Sequence, residues 1–153
     1  MPIVTEIHVE RPPEAVTAYL LDYANEARWQ HNVSEAVREP PGPARVGTRV
    51  RKVRRTGMGV QRFVTQVVAV DEAARRWSDR VVTGTFRDTT GAWSVDPEGI
   101  GSRVRLVADM KAPWPWKLLL PLIERFARKD LAAEFQTLKR LLENGAATAG
   151  RPT

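Results

Sequence analysis

Pro113-Trp114-Pro115-Trp116, followed by Leu118-Leu119-Leu120-Pro121-Leu122, opens the longest helical pattern of the chain, which carries on to Gly145. At 100° per residue, Ile123, Ala127, Leu131, Phe135, Leu138, Leu141 and Leu142 fall in one stripe, while Arg125, Arg128, Lys129, Ala132, Gln136 and Arg140 face away. The pattern is that of a helix with one buried face. Pro121 suits a first helical position and Glu124 the positive end of the helix dipole, whereas Lys139 and Arg140 suit the negative end ahead of Gly145. A helix this long needs a broad apolar surface to lie on, and the chain upstream reads as strands that could supply it.

Ile3-Val4-Thr5-Glu6-Ile7-His8-Val9-Glu10 alternates with Ile3, Thr5, Ile7 and Val9 on one side, which predicts a half-buried strand. Pro12-Pro13-Glu14 then starts a short helix carrying Val16, Tyr19 and Leu20, and Asp22 to Trp29 reads as a second short helix or turn. After a strand at Val33 to Glu39, Pro40-Pro41-Gly42-Pro43 forms a loop, its prolines lacking backbone donors. Strands are predicted at Thr48 to Arg55, Val60 to Val70, Arg76 to Thr83, Thr85 to Val95 and Ser102 to Met110. Gly57-Met58-Gly59, Asp71 to Ala74 and Asp96 to Gly101 supply turns between them. The class is therefore α+β: a strand, two short helices, an antiparallel meander and a long helix for it to wrap. Residues 1–145 make one domain, and Ala146 to Thr153, small and polar, read as a disordered tail.

Composition narrows the function. Cysteine is absent, which removes disulfides, thiol nucleophiles and thiolate metal sites. No HExxH and no carboxylate cluster is present, so neither a metal centre nor a cofactor is expected. The start lacks a signal-peptide pattern and no apolar run reaches the roughly 18 residues of a membrane span, pointing to a soluble, cytoplasmic protein. Net charge is +6, and between Pro40 and Val70 there is no acidic residue but seven basic ones, among them Arg49, Arg51, Lys52, Arg54 and Arg55. Without interleaved aromatics or a binding motif, that run reads as a solvated strand or an acidic-partner patch, and nucleic acid is not expected.

Ile7-x-Val9-x-Arg11-Pro12-Pro13-Glu14-x-Val16, then Asp22, Arg28-Trp29, Gly47-Thr48, Gly101-Ser102-x-Val104 and the closing helix, in this order and spacing, resemble the START-like helix-grip (SRPBCC) superfamily, in particular its polyketide cyclase/dehydrase and lipid-transport branch. The resemblance spans nearly the whole chain. It implies a curved seven-stranded antiparallel sheet gripping the last helix, with a cavity between them for an apolar small molecule such as a polyketide, lipid or aromatic metabolite. It does not imply one reaction: carriers, sensors and aromatase/cyclases share the fold.

Within that frame Trp29 takes the place of a cavity-mouth aromatic, while Trp77 and Trp93 fall in inward strand phases, as ligand walls or as core. Val104, Leu106 and Met110 on the last strand, and Leu131 and Phe135 on the helix, complete the expected ligand-binding set. Asp79, in phase with Trp77, and Arg87, in phase with Trp93, could pair across strands, either as a structural ion pair or to orient a ligand or polarise a carbonyl. Glu134 falls inside the apolar stripe of the helix, either facing the cavity with a raised pKa or reaching water at its rim. His8 alternates outward, and His31 sits in a loop that could border the cavity or lie at the surface. Trp114 and Trp116 beside Lys117 either close one end of the fold or touch a membrane transiently. A monomer or a homodimer is expected.

Overall fold

The computed structural model describes residues 2–56 and 59–149, with side chains as far as 145. Seven strands form one antiparallel sheet: β1 Ile3–Val9, β2 Val33–Glu39, β3 Arg49–Thr56, β4 Gly59–Asp71, β5 Arg76–Val81, β6 Thr90–Glu98 and β7 Gly101–Asp109. Their order across the sheet is β1-β7-β6-β5-β4-β3-β2, so the six later strands are a pure meander and β1 closes onto its end. Helices α1 (Pro13–Leu21) and α2 (Glu26–Trp29), joined by a 3-10 turn at Tyr23–Asn25, follow β1, and α3 runs from Leu120 to Ala149. The curled sheet and its terminal helix are the helix-grip arrangement.

Local chemistry explains the elements. Ile3, Thr5, Ile7 and Val9 are buried on one side of β1, as their alternation requires. Pro12 and Pro13 start α1, where a missing N–H costs nothing. The Asp22 carboxylate accepts from the Ala24 N–H at 3.3 Å and so begins the 3-10 turn. Register shifts between Val33 and Glu35 in β2, and between Val67 and Ala69 in β4, bend the sheet at its far side. Gly101 lies so close to the Val9 carbonyl and the Glu10 backbone that a Cβ would collide with them, which explains a glycine where β7 meets the end of β1.

Several boundaries differ from expectation. The segment Thr85 to Phe86, expected to open a strand, lies with Arg87 and Asp88 in a turn, and β6 begins only at Thr90. Asp88 takes a positive φ of 75° there, and its amide bonds to the Val81 carbonyl. The long helix passes through Gly145 to Ala149, carried by an alanine-rich sequence that favours helix. Residues 150–153 of the expected tail, and Gly57 and Met58 of the expected turn, lie outside the described residues.

The core is continuous from β1 to α3. Val9, Val16, Trp29, Val50, Val67, Val95, Val104, Phe135 and Leu138 are all essentially inaccessible within it. The helix contributes unevenly. From Leu120 to Ala133 no α3 residue is buried, whereas Glu134, Phe135, Leu138 and Leu142 are. Lys139 Nζ donates to the His8 carbonyl at 2.9 Å and Glu143 accepts from the Glu10 amide at 2.8 Å, fixing the second half of α3 along β1.

Candidate functional site

Trp29, Trp77 and Trp93 pack on one another in the interior. Trp77 and Trp93 stack at 5.8 Å with rings 6° from parallel, following their direct pairing in the β5–β6 register. Phe135 stacks on Trp93 at 6.0 Å, and Trp29 packs edge-on against both at 6.0 and 5.9 Å. Val104 and Leu106 are buried in the same core, Leu131 packs on its border, and Met110 is half-buried just past β7. Trp29, with 1% of its surface exposed, is an interior side chain and not a cavity mouth. At this level helix and sheet are in direct aromatic contact, so the expected hollow is closed there. Of the surface depressions, one lies on the outward side of α3 around Arg140 and Leu141, and another on the rim of β3 and β4 around Arg51 and Arg62.

Beyond the aromatics the interior turns polar. Tyr23 Oη donates to Asp79 Oδ2 at 2.6 Å. Lys52 Nζ forms an ion pair with Glu26 Oε1 at 2.6 Å, both side chains more than nine-tenths buried. The same ammonium lies 5.6 Å from the Tyr23 ring centre and 5.9 Å from that of Phe63. Gln30 Nε2 donates to Glu26 Oε2 at 2.9 Å, and Arg54 Nη2 donates to Gln30 Oε1 at 3.2 Å. Glu134 faces this cluster from α3, 1% exposed, and its Oε2 has no hydrogen-bond partner. Arg54 Nε and Trp77 Nε1 are likewise buried without one.

Each position has a local cause. Glu26 and Gln30 are one helical turn apart at the two ends of α2 and so share a face. Lys52 and Arg54 follow Val50 at strand spacing, so all three point inward from β3. Asp79 pairs with Gly91 across β5 and β6, and a Cβ on Gly91 would lie 2.8 Å from Asp79 Oδ1. Only glycine leaves the carboxylate its place.

Burial raises the Asp79 pKa to about 6, against the opposing pull of Lys52 and the Tyr23 hydroxyl. Burial likewise raises Glu134 to about 7, with Arg54 opposing and Asp130 and Glu26 adding to the rise. Tyr23 is driven up by burial and then by Asp79, so its hydroxyl keeps its proton as donor. Asp79 and Glu134 both feel Glu26 and Lys52, which makes them members of one electrostatic cluster. Two carboxyls poised near neutrality can each hold or accept a proton.

The pairing of Asp79 with Arg87 does not occur. Arg87 is exposed in the turn before β6, and Asp79 is held by Tyr23 instead. Glu134 is interior and does not reach the rim. His31 is exposed, and His8 is half-buried with Nδ1 2.8 Å from Glu98 Oε1, on the outer side of the sheet. Tyr23, Glu26, Gln30, Lys52 and Arg54 were absent from the expected site. For Lys52 and Arg54 the signal was the two-residue period from Val50, hidden inside a run that reads as a uniform basic strand.

The family model for polyketide cyclase / dehydrase and lipid transport matches residues 2–143. The chain belongs to this family. Solved structures with the same fold include TTHA0849 from Thermus thermophilus, at 21% identity and a TM-score of 0.80, covering 99% of this chain and 100% of that one. A START superfamily protein from Mycobacterium smegmatis matches at 18% identity and 0.72, covering 94% and 97%. The Zhui aromatase/cyclase from Streptomyces sp. R1128 matches at 14% and 0.71, covering 95% and 98%. No curated protein matches the chain by sequence. For this member of the polyketide cyclase / dehydrase and lipid transport family, the likeness to solved structures shows the fold alone, and the cluster around Lys52 and Glu134 is read on its own geometry.

Proposed function

We propose that this protein binds a hydrophobic small molecule, a polyketide, lipid or aromatic metabolite, with its polar end at Arg54 and Glu134. The apolar body would lie beyond the tryptophan stack, between the first half of α3 and the inward faces of β4 and β5. What carries this reading is the Glu134 carboxyl oxygen, buried without a partner where α3 ceases to be covered, together with the unpartnered Nε of Arg54. A ligand hydroxyl and carbonyl would satisfy the two. Half-buried Ile123, Ala127 and Leu131 on the helix, and Phe63 and Val81 on the strands, supply apolar surface on either side.

A second reading, an aromatase/cyclase or dehydratase, is favoured by the pair of carboxyls raised to about 6 and about 7. The ionised one would take a proton from a carbon between two carbonyls, and that carbon would bond to a distant carbonyl carbon of the same chain. The protonated one would return a proton to the alkoxide so formed. Family membership is compatible with either reading.

Titration with the fluorescent apolar anion 8-anilinonaphthalene-1-sulfonate, alongside native mass spectrometry of the purified protein, tests binding. Saturable one-site fluorescence is expected, with affinity reduced about tenfold in Arg54→Met, the worth of one charge-assisted hydrogen bond. An unmodified protein that neither binds the probe nor retains a small molecule would remove the reading.

A further inference from the structure

We propose that the segment from Trp114 to Phe126 docks this protein reversibly on the surface of an anionic lipid bilayer. Its large apolar side chains face solvent: Trp114 is 73% exposed, Leu118 66%, Leu122 51% and Phe126 60%, with Leu119 beside them. Leu118, Leu122 and Phe126 follow one another at four-residue spacing, through the 3-10 turn at Trp116–Leu119 and into α3, so they form one stripe. That stripe lies on the side of the helix away from Leu131, Phe135 and Leu138, which pack inward. An apolar row this continuous on an exposed helix face marks an interaction site.

The surrounding charge selects the partner. Lys117, Arg125, Arg128 and Lys129 are exposed around the stripe, while the acidic Glu124 and Asp130 are half-buried. In a two-fold contact with a second copy these cations would meet their own equivalents, whereas lipid phosphates would neutralise them. Tryptophan and lysine together suit headgroup depth, with the leucines and Phe126 reaching the acyl boundary. No helix among the described residues is long and apolar enough to cross a membrane, so the contact is interfacial. The inference goes beyond ligand binding and stands without it, since it uses only the outer side of the segment.

Sedimentation with phosphatidylcholine vesicles, with and without phosphatidylglycerol, is the measurement. Binding is expected only to vesicles containing phosphatidylglycerol. The double substitution Trp114→Ser with Phe126→Ser should lower partitioning at least about tenfold, and Arg125→Gln or Lys129→Gln should lower it about fivefold each. All four side chains are exposed, so thermal unfolding of the variants should match that of the unmodified protein. Absence of binding to the anionic vesicles, equal binding to neutral ones, or binding indifferent to the Trp114 and Phe126 substitutions would overturn the proposal. So would a concentration-dependent dimer that the same substitutions dissolve while vesicles remain unbound. Probe binding inside the protein is measured separately, so either idea can fail alone.

Discussion

The concave face of this sheet has two halves built on different physics. Toward β1, β7 and β6 it presents Ile7, Val9, Trp93, Val95, Val104 and Leu106, and α3 lies directly on it. Along β3, β4 and β5 the inward positions change from the buried Val50, Val67 and Trp77 to Lys52, Arg54, Thr65 and Asp79, and the α3 residues up to Ala133 are at most half-buried. The first half gains stability by removing apolar surface from water. The second takes charges out of water, which stabilises a fold little unless every group is matched. Here Glu134 Oε2 and Arg54 Nε are not matched. The contrast teaches that the grip on the helix is made at one end, while the other holds buried charges that are only partly matched.

The sharpest way to break this contrast is to remove its apolar anchor. Trp93 touches Trp29, Trp77 and Phe135, so Trp93→Ala should cost about 3–5 kcal/mol in urea unfolding through lost contacts and a cavity. A cost below about 1 kcal/mol would mean that the stack does not hold the helix. Next in size, Lys52→Met should cost about 3 kcal/mol because Glu26 is left charged and buried. Adding Glu26→Leu should recover most of that loss, whereas the same double change beside an ordinary surface pair would do nothing. Failure of the second substitution to compensate would show that Lys52 acts through something other than Glu26.

Much of the apolar half was legible in the sequence. Ile3, Ile7 and Val9 declare their face by alternation, and Leu131, Phe135 and Leu138 by helical spacing; the prolines at 12 and 13 mark where strand gives way to helix. Trp77 and Trp93 could be placed inward, but not opposite one another, because register is a property of two strands. The charged half was harder to see. Lys52 and Arg54 sit among arginines that face water, and their inward phase shows only when counted from Val50. Tyr23 and Glu26 belong to turns too short for periodicity to speak, and only tertiary packing sets Tyr23 beside Asp79, 56 residues away. Arg87 was misplaced because nothing in Gly84-Thr85-Phe86-Arg87-Asp88-Thr89 announces that the strand waits until Thr90.

The smallest effect sharpens the contrast most, because it isolates a single proton. In the folded chain Glu134 titrates near 7, against 4.5 for an ordinary glutamate, and Asp79 near 6 against 3.8. Between each pair of values the folded state holds a proton that the unfolded chain has released, so stability falls as pH rises through that window and levels off above about 7. Below the unfolded values both states are protonated and neither group contributes. Replacing Glu134 by Gln removes the ionised form, so the variant should match the unmodified protein in acid and exceed it by at most roughly 3 kcal/mol above neutrality. The slope between about pH 6 and pH 7 should vanish, and the one between 4.5 and about 6, to which both groups contribute, should fall to the share of Asp79. Urea unfolding across this range reads both. A Glu134→Gln protein whose stability tracks the unmodified one at every pH would show that Glu134 is already ionised and hydrated, and the two halves of the concave face would then differ only in shape.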